Sequence, residues 1–134
     1  MRKKARAAPV KSAKAVSEPS DLTQDFKRVV KASKATKLPG LEEGTSYGTP
    51  SLKVKGKFLL RVREPGVIAI MCSLEEKEFL MRERAAIYFE TDHYKGYPAV
   101  LIRLTKIKDD ELAHRIGVAW RLQAPKKLVA SVGG

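Results

Sequence analysis

The clearest pattern in this chain is an alternation between Leu52 and Arg63. Leu52, Val54, Phe58, Leu60 and Val62 occupy even positions, while Lys53, Lys55, Lys57, Arg61 and Arg63 occupy odd ones. Successive side chains of a strand point to opposite faces, so with Gly56 as the reversing turn this stretch predicts a hairpin with one apolar and one cationic face. Gly44 to Pro50, rich in glycine and hydroxyl residues around Tyr47, reads as a short edge strand or turn leading into it. Glu64, Pro65 and Gly66 close it, and Val67–Cys72, apolar at every position, predicts a central strand covered on both sides.

Helical spacing frames this β region. Leu22, Phe26, Val29, Val30 and Ser33 form one stripe of a helix predicted from about Leu22 to Lys37, with Asp21 as N-cap and Gln24 as its reciprocal partner. Lys27, Lys31 and Lys34 lie on its opposite side, and Leu38, Pro39 and Gly40 end it. Ser73 and Glu76 make a capping box for a short second helix to about Arg84, with Glu75, Glu76 and Glu78 near its positive end. Its apolar periodicity, Leu74, Phe79, Leu80 and Met81, is imperfect. Ile87–Thr91 and Ala99–Leu104 predict a second hairpin joined by residues 92–98. The last helix starts at Asp109 or Asp110 and runs to about Gln123, burying Leu112, Ile116, Ala119 and Trp120 and turning His114 to solvent; Ala124 and Pro125 stop it, and Leu128 and Val129 pack a final turn.

A chain of 134 residues is one domain's worth of sequence, and its 27 Lys and Arg against 15 Asp and Glu leave a net charge of +12. That excess points to a polyanionic partner. Residues 1–20 carry Arg2, Lys3, Lys4, Arg6, Lys11 and Lys14 against Glu18 alone, with only Val10 and Val16 as larger apolar side chains, so a disordered basic arm is expected ahead of a single domain over 21–134. The single cysteine, Cys72, belongs to the apolar strand and reads as a small buried hydrophobe. With no internal disulfide and no long uncharged apolar run, the expectation is a cytoplasmic protein that does not enter a membrane.

Candidate chemistry is sparse. Neither His93 nor His114 has a partner at metal or triad spacing, and no nucleophile with a base or phosphate-binding loop can be assembled, so neither a cofactor nor an enzymatic activity is expected. Glu42, Glu43, Tyr47, Glu90, Asp92 and His93 form a catalytic cleft only if the fold brings them together. The residues suited to binding are the five cations of the first hairpin and His93, Tyr94, Lys95 and Tyr97 of the second loop, where aromatic and basic side chains interleave around Gly96. The tyrosines have an alternative, folding back to pack on the sheet.

Three strings, LPGLEEGTSYGTPSLKVKGKFLLRV at 38–62, FETDHYKGYPAVLIRL at 89–104 and AWRLQAPKKLVA at 119–130, resemble the MmcQ/YjbR-like family of small bacterial proteins. The resemblance implies an α+β fold similar to the CyaY-like architecture, an antiparallel sheet with terminal helices on one face and two protruding hairpins described as a double wing. By position the first wing is Lys53–Arg63 and the second Thr91–Pro98. The resemblance also implies DNA binding, a label that derives from the wing geometry. The expectation is a monomeric, non-enzymatic DNA-binding protein of low sequence specificity, with Lys53, Lys55, Lys57, Arg61 and Arg63 on phosphates and His93, Tyr94, Lys95 and Tyr97 directed toward a groove. The alternative is a protein-interaction or small-ligand module for an acidic partner, with DNA affinity only in the N-terminal arm.

Overall fold

The computed structural model describes residues 19–132. Helix α1 spans Pro19–Ala35 and is followed by strands β1 (Leu41–Ser46), β2 (Thr49–Val54), β3 (Lys57–Glu64) and β4 (Val67–Met71). Helix α2 (Leu74–Glu83), strand β5 (Tyr88–Phe89), a single 3-10 turn (Asp92–Tyr94), strand β6 (Ala99–Arg103) and helices α3 (Asp109–Gln123) and α4 (Lys126–Ser131) complete the fold. The six strands form one antiparallel sheet in the order β1-β2-β3-β4-β6-β5. The class is the expected α+β, with α1 and α3 packed on each other and on one face of the sheet. The proposed arm lies outside the described residues, except that α1 reaches back to Pro19. Asp21 is therefore inside the first turn and not its cap; proline suits the first helical position, where an N–H has no intrahelical partner.

The core lies between the helices and that inner face. Val29, Leu52, Leu60, Val62, Ile68, Ile70, Val100, Ile102, Leu112, Ile116 and Trp120 are essentially inaccessible. Trp120 anchors the core as its spacing predicted, and its indole Nε1 donates to the Pro39 carbonyl (2.8 Å). The first helix ends two residues earlier than expected, with Lys37 at φ 58° before Leu38 and Gly40 at φ 79°.

Two hairpins turn on residue pairs with positive φ at both positions, Tyr47 (53°) with Gly48 (80°) and Lys55 (48°) with Gly56 (82°). That is the type I′ geometry whose twist matches flanking strands. The segment before the basic hairpin is thus a full strand and turn of its own.

The strict alternation fails in β3. Leu52 pairs with Leu60, but Lys53 pairs with Phe58, so Leu59 is an extra residue in the ladder. Leu59 and Leu60 both enter the core, and Phe58, expected on the apolar face, instead shares a face with Lys53. The same shift puts Lys57 opposite Val54. A second bulge at Arg63 separates the pairs Val62–Ile68 and Glu64–Val67. The physical reason is that burying both leucines releases more free energy than an unbroken ladder, which alternation counting does not weigh. Lys53, Lys55, Lys57, Arg61 and Arg63 therefore do not share one face.

Candidate nucleic-acid interface

The bulge and the tight turn split the predicted cationic face into two separate regions. The first is at the end of the molecule, where three elements converge on Gly40. The Lys55 amide donates to the Gly40 carbonyl (3.4 Å). A Cβ on Gly40 would lie 2.9 Å from Leu128 Cδ2, 3.4 Å from Val54 Cγ2 and 3.6 Å from Lys55 Cε, so the β2–β3 turn and α4 meet over this glycine. Lys34 and Lys37 line the same open groove as Gly40, about 360 Å³ in volume, between the end of α1 and β1. Gln123 Nε2 donates to the Phe58 carbonyl (2.9 Å), which holds the end of α3, and hence the start of α4, against the hairpin. Lys34, Lys37, Lys55, Lys57, Lys126 and Lys127 are consequently gathered at one end, all exposed. Among the described residues, the ion pairs are made by Arg28, Arg63, Lys77, Arg82, Arg84 and Arg115, and none of these lysines takes part. The acids nearby are Glu43, which lines the groove, and Glu42, which accepts from the Gly56 amide (3.2 Å).

The second region is the outer face of the sheet, opposite α1 and α3. Ser51, Arg61, Ala69, Leu101 and Phe89 form one row across five strands. Arg61 Nη1 donates to Thr49 Oγ1 (3.1 Å) and Nη2 to the Tyr94 hydroxyl (3.3 Å), while the guanidinium carbon lies 5.2 Å from the Tyr47 ring centroid. Arg63 stands 5.7 Å from the Tyr94 ring centroid and pairs with Glu64 (2.6 Å). Because Tyr94 reaches β3 from the β5–β6 connection, that loop must cross β6 and β4, about 10 Å of sheet. Its crossing explains why Ala69, Ala99 and Leu101 are buried although they lie outside the helix-side core.

What holds the loop there is Lys77, a residue sequence reasoning passed over. Its side chain is 3% exposed; Nζ pairs with Glu90 (2.9 Å) and donates to the carbonyls of Tyr94 and Tyr97. The signal was the irregular apolar spacing of α2, since Lys77 occupies a buried helical position that a hydrophobe would normally fill. Tyr94 is half-buried and edge-on to Tyr97 (6.2 Å, 69°), whereas His93 and Lys95 are exposed. The second hairpin is thus folded onto the sheet, and of the two readings open for the tyrosines, packing describes Tyr94.

The residues weighed for a catalytic cleft divide between the Gly40 end, where Glu43 lines the groove, and the outer face, where Tyr47 and the loop carrying Asp92 and His93 meet at Arg61 through Tyr94. Glu42 is engaged at the β2–β3 turn, Tyr47 stands on the β1–β2 turn over Arg61, and Glu90 is held by Lys77. Glu76, expected on a solvated face, pairs with buried Arg115 (3.0 Å), because a guanidinium 7% exposed requires a carboxylate; Ser73 still caps α2 by accepting from the Glu76 amide (3.1 Å). Cys72 is buried beside this pair, and its thiol pKa is pushed up to about 11, by burial first and then by the Glu76 charge. Tyr88 donates to Glu111 Oε2 (2.6 Å), and burial together with that hydrogen bond raises its pKa.

A six-stranded antiparallel sheet with helices on its inner face, a lysine-rich end and an arginine–tyrosine outer face defines a small α+β domain. The chain belongs to the YjbR family, whose model matches residues 36–122, from the end of α1 to the end of α3. It is also 42% identical over 64 residues to the uncharacterized protein Mb2600 of Mycobacterium bovis, and equally to the uncharacterized proteins MT2646 and Rv2570 of Mycobacterium tuberculosis. Each match covers 47% of this chain and 50% of the relative, so the chain spans about half the length of the curated relatives it matches. Among the described residues no helix is long and apolar enough to cross a membrane.

Proposed function

We propose that this protein binds DNA without catalysis and with little sequence preference, using the lysine-rich end as its phosphate-contacting surface. The observation that carries the reading is the convergence of Lys34, Lys37, Lys55, Lys57, Lys126 and Lys127 from three elements, exposed and outside every ion pair among the described residues. Like charges brought together repel and destabilise the fold unless an anion meets them, and a polyphosphate backbone neutralises several at once. Lysine is a point charge and reads no base edge in a fixed geometry, so such contacts position a duplex without selecting its sequence. The proposal keeps Lys55 and Lys57 of the first hairpin in the interface and adds lysines from α1, its connection to β1, and α4.

The test is a salt-titrated binding assay on a short duplex. Neutralising about six phosphates gives a slope of log affinity against log salt near −5. Replacing Lys55, Lys57 and Lys126 together by Glu is expected to lower affinity at least a hundredfold at low salt while leaving the thermal midpoint close to that of the wild type. Unchanged affinity would overturn the proposal. Affinity lost on removing residues 1–18, yet indifferent to these reversals, would instead assign DNA binding to that segment and favour an acidic protein partner for the domain.

A further inference from the structure

Tyr47 is not explained by packing or by turn chemistry. The first position of a type I′ turn favours Gly, Asn or Asp, because a bulky side chain at positive φ meets its own backbone. Tyr47 sits there at φ 53° with 85% of its surface exposed, so no burial offsets that cost. Among the described residues its ring meets the Arg61 guanidinium, 5.2 Å from the centroid. Arg61 is in turn fixed from both sides by Thr49 Oγ1 and the Tyr94 hydroxyl, and the Lys77 anchor holds the Tyr94 loop in place. The result is a preorganised cation–π pair with the outward surface of the ring open to water; Arg63 packs on the same Tyr94, and Lys53 lies on the same sheet face further along β2, two residues beyond Ser51, the register partner of Arg61.

We infer that this outer face binds an unpaired nucleotide within a single strand, with a base stacked on Tyr47 and neighbouring phosphates met by Arg61 and Lys53. An exposed aromatic ring offers a surface every base can use, and a cation seated behind it neutralises the strand it displays. A nucleotide matches both halves of the pair, its base the exposed Tyr47 ring and its phosphate the Arg61 charge, whereas an apolar partner would leave the cation unmatched and a lipid headgroup would leave the ring without a stacking partner. A base within an intact duplex cannot reach the ring, since its faces are covered by stacked neighbours. The inference deepens the nucleic-acid reading above and rests on it: the lysine end supplies general phosphate affinity, and the outer face supplies a preference for unstacked bases.

The full-length protein is titrated by fluorescence anisotropy against three labelled probes at one salt concentration: a twelve-residue oligothymidylate, an abasic strand of the same length and charge, and a twelve-base-pair duplex. The wild type is expected to bind oligothymidylate about tenfold or more tightly than the abasic strand. Tyr47→Ala is expected to erase that difference while leaving abasic and duplex affinities within twofold of wild type; Tyr47→Trp restores it and controls for turn damage. Thymidine monophosphate competing as well as the oligonucleotide, mole for mole, would overturn the strand assignment in favour of a free-nucleotide site. Equal wild-type affinity for oligothymidylate and abasic strand, with duplex binding still sensitive to the lysine reversals, would overturn this inference alone. Absence of binding to all three probes would overturn the nucleic-acid reading beneath it as well.

Discussion

Replacing Lys77 by Met isolates the ammonium, because the aliphatic stem is kept and only the polar contacts are lost. Breaking a buried pair by removing one partner costs about 3–5 kcal/mol when the other charge is left sealed. Here Glu90 remains 25% exposed and turns to water, which reduces the penalty. The Tyr94 and Tyr97 carbonyls each keep a backbone donor as well, the amides of Tyr97 (3.0 Å) and Ala99 (2.7 Å). Relief of the lysine's own desolvation works in the same direction. What remains is the loss of two charge-assisted hydrogen bonds and part of an ion pair, about 2–3 kcal/mol net. For a domain of this size that lowers the thermal midpoint by roughly 8–15 °C. Urea titration followed by the fluorescence of Trp120, the only tryptophan and fully buried, measures the free energy directly. Hydrogen exchange at the amides of residues 94–99 reports whether the loop has lifted. A loss below about 0.5 kcal/mol with unchanged exchange would refute the claim that Lys77 is what pins the loop to the sheet.

The bulge in β3 makes a prediction opposite to that of simple alternation: Leu59→Ala should cost about 2–5 kcal/mol, as a core truncation, and Phe58→Ala clearly less. Denaturant titration of the two variants decides, and the reverse order would refute the register. Cys72 should be inert in the native protein, because with its pKa pushed up to about 11 the thiolate is scarce at pH 8; its reaction with a disulfide reagent should be at least about a hundredfold slower than in denaturant. Since the folded pKa lies above the unfolded value, the stability this thiol contributes is complete below about pH 8.5 and is lost as pH rises toward the folded pKa. Native reactivity within tenfold of the unfolded rate would contradict that burial.

The sequence alone determined the elements that depend on short-range chemistry. The helical stripe through Val29 and Ser33, the Trp120 face of α3, the Ser73 cap and the apolar strand ending at Cys72 lie where their spacing placed them, because period and capping are written within a few residues. The strings around Tyr47 and Gly96 also sufficed for the family. Only the tertiary structure decided the surface. Whether Leu59 or Phe58 turns inward depends on the volume between sheet and helices, and that choice distributes the hairpin cations between two regions. Lys34, Lys37, Lys126 and Lys127 are far apart in sequence from Lys55, and it is the closure of the chain around Gly40 that makes them neighbours. Lys77 and Glu90 likewise find each other only when the sheet sets the end of β5 beside α2. Side-chain periodicity is a local property, whereas the meeting of charges from distant segments is fixed by packing, and packing is settled by the whole chain at once.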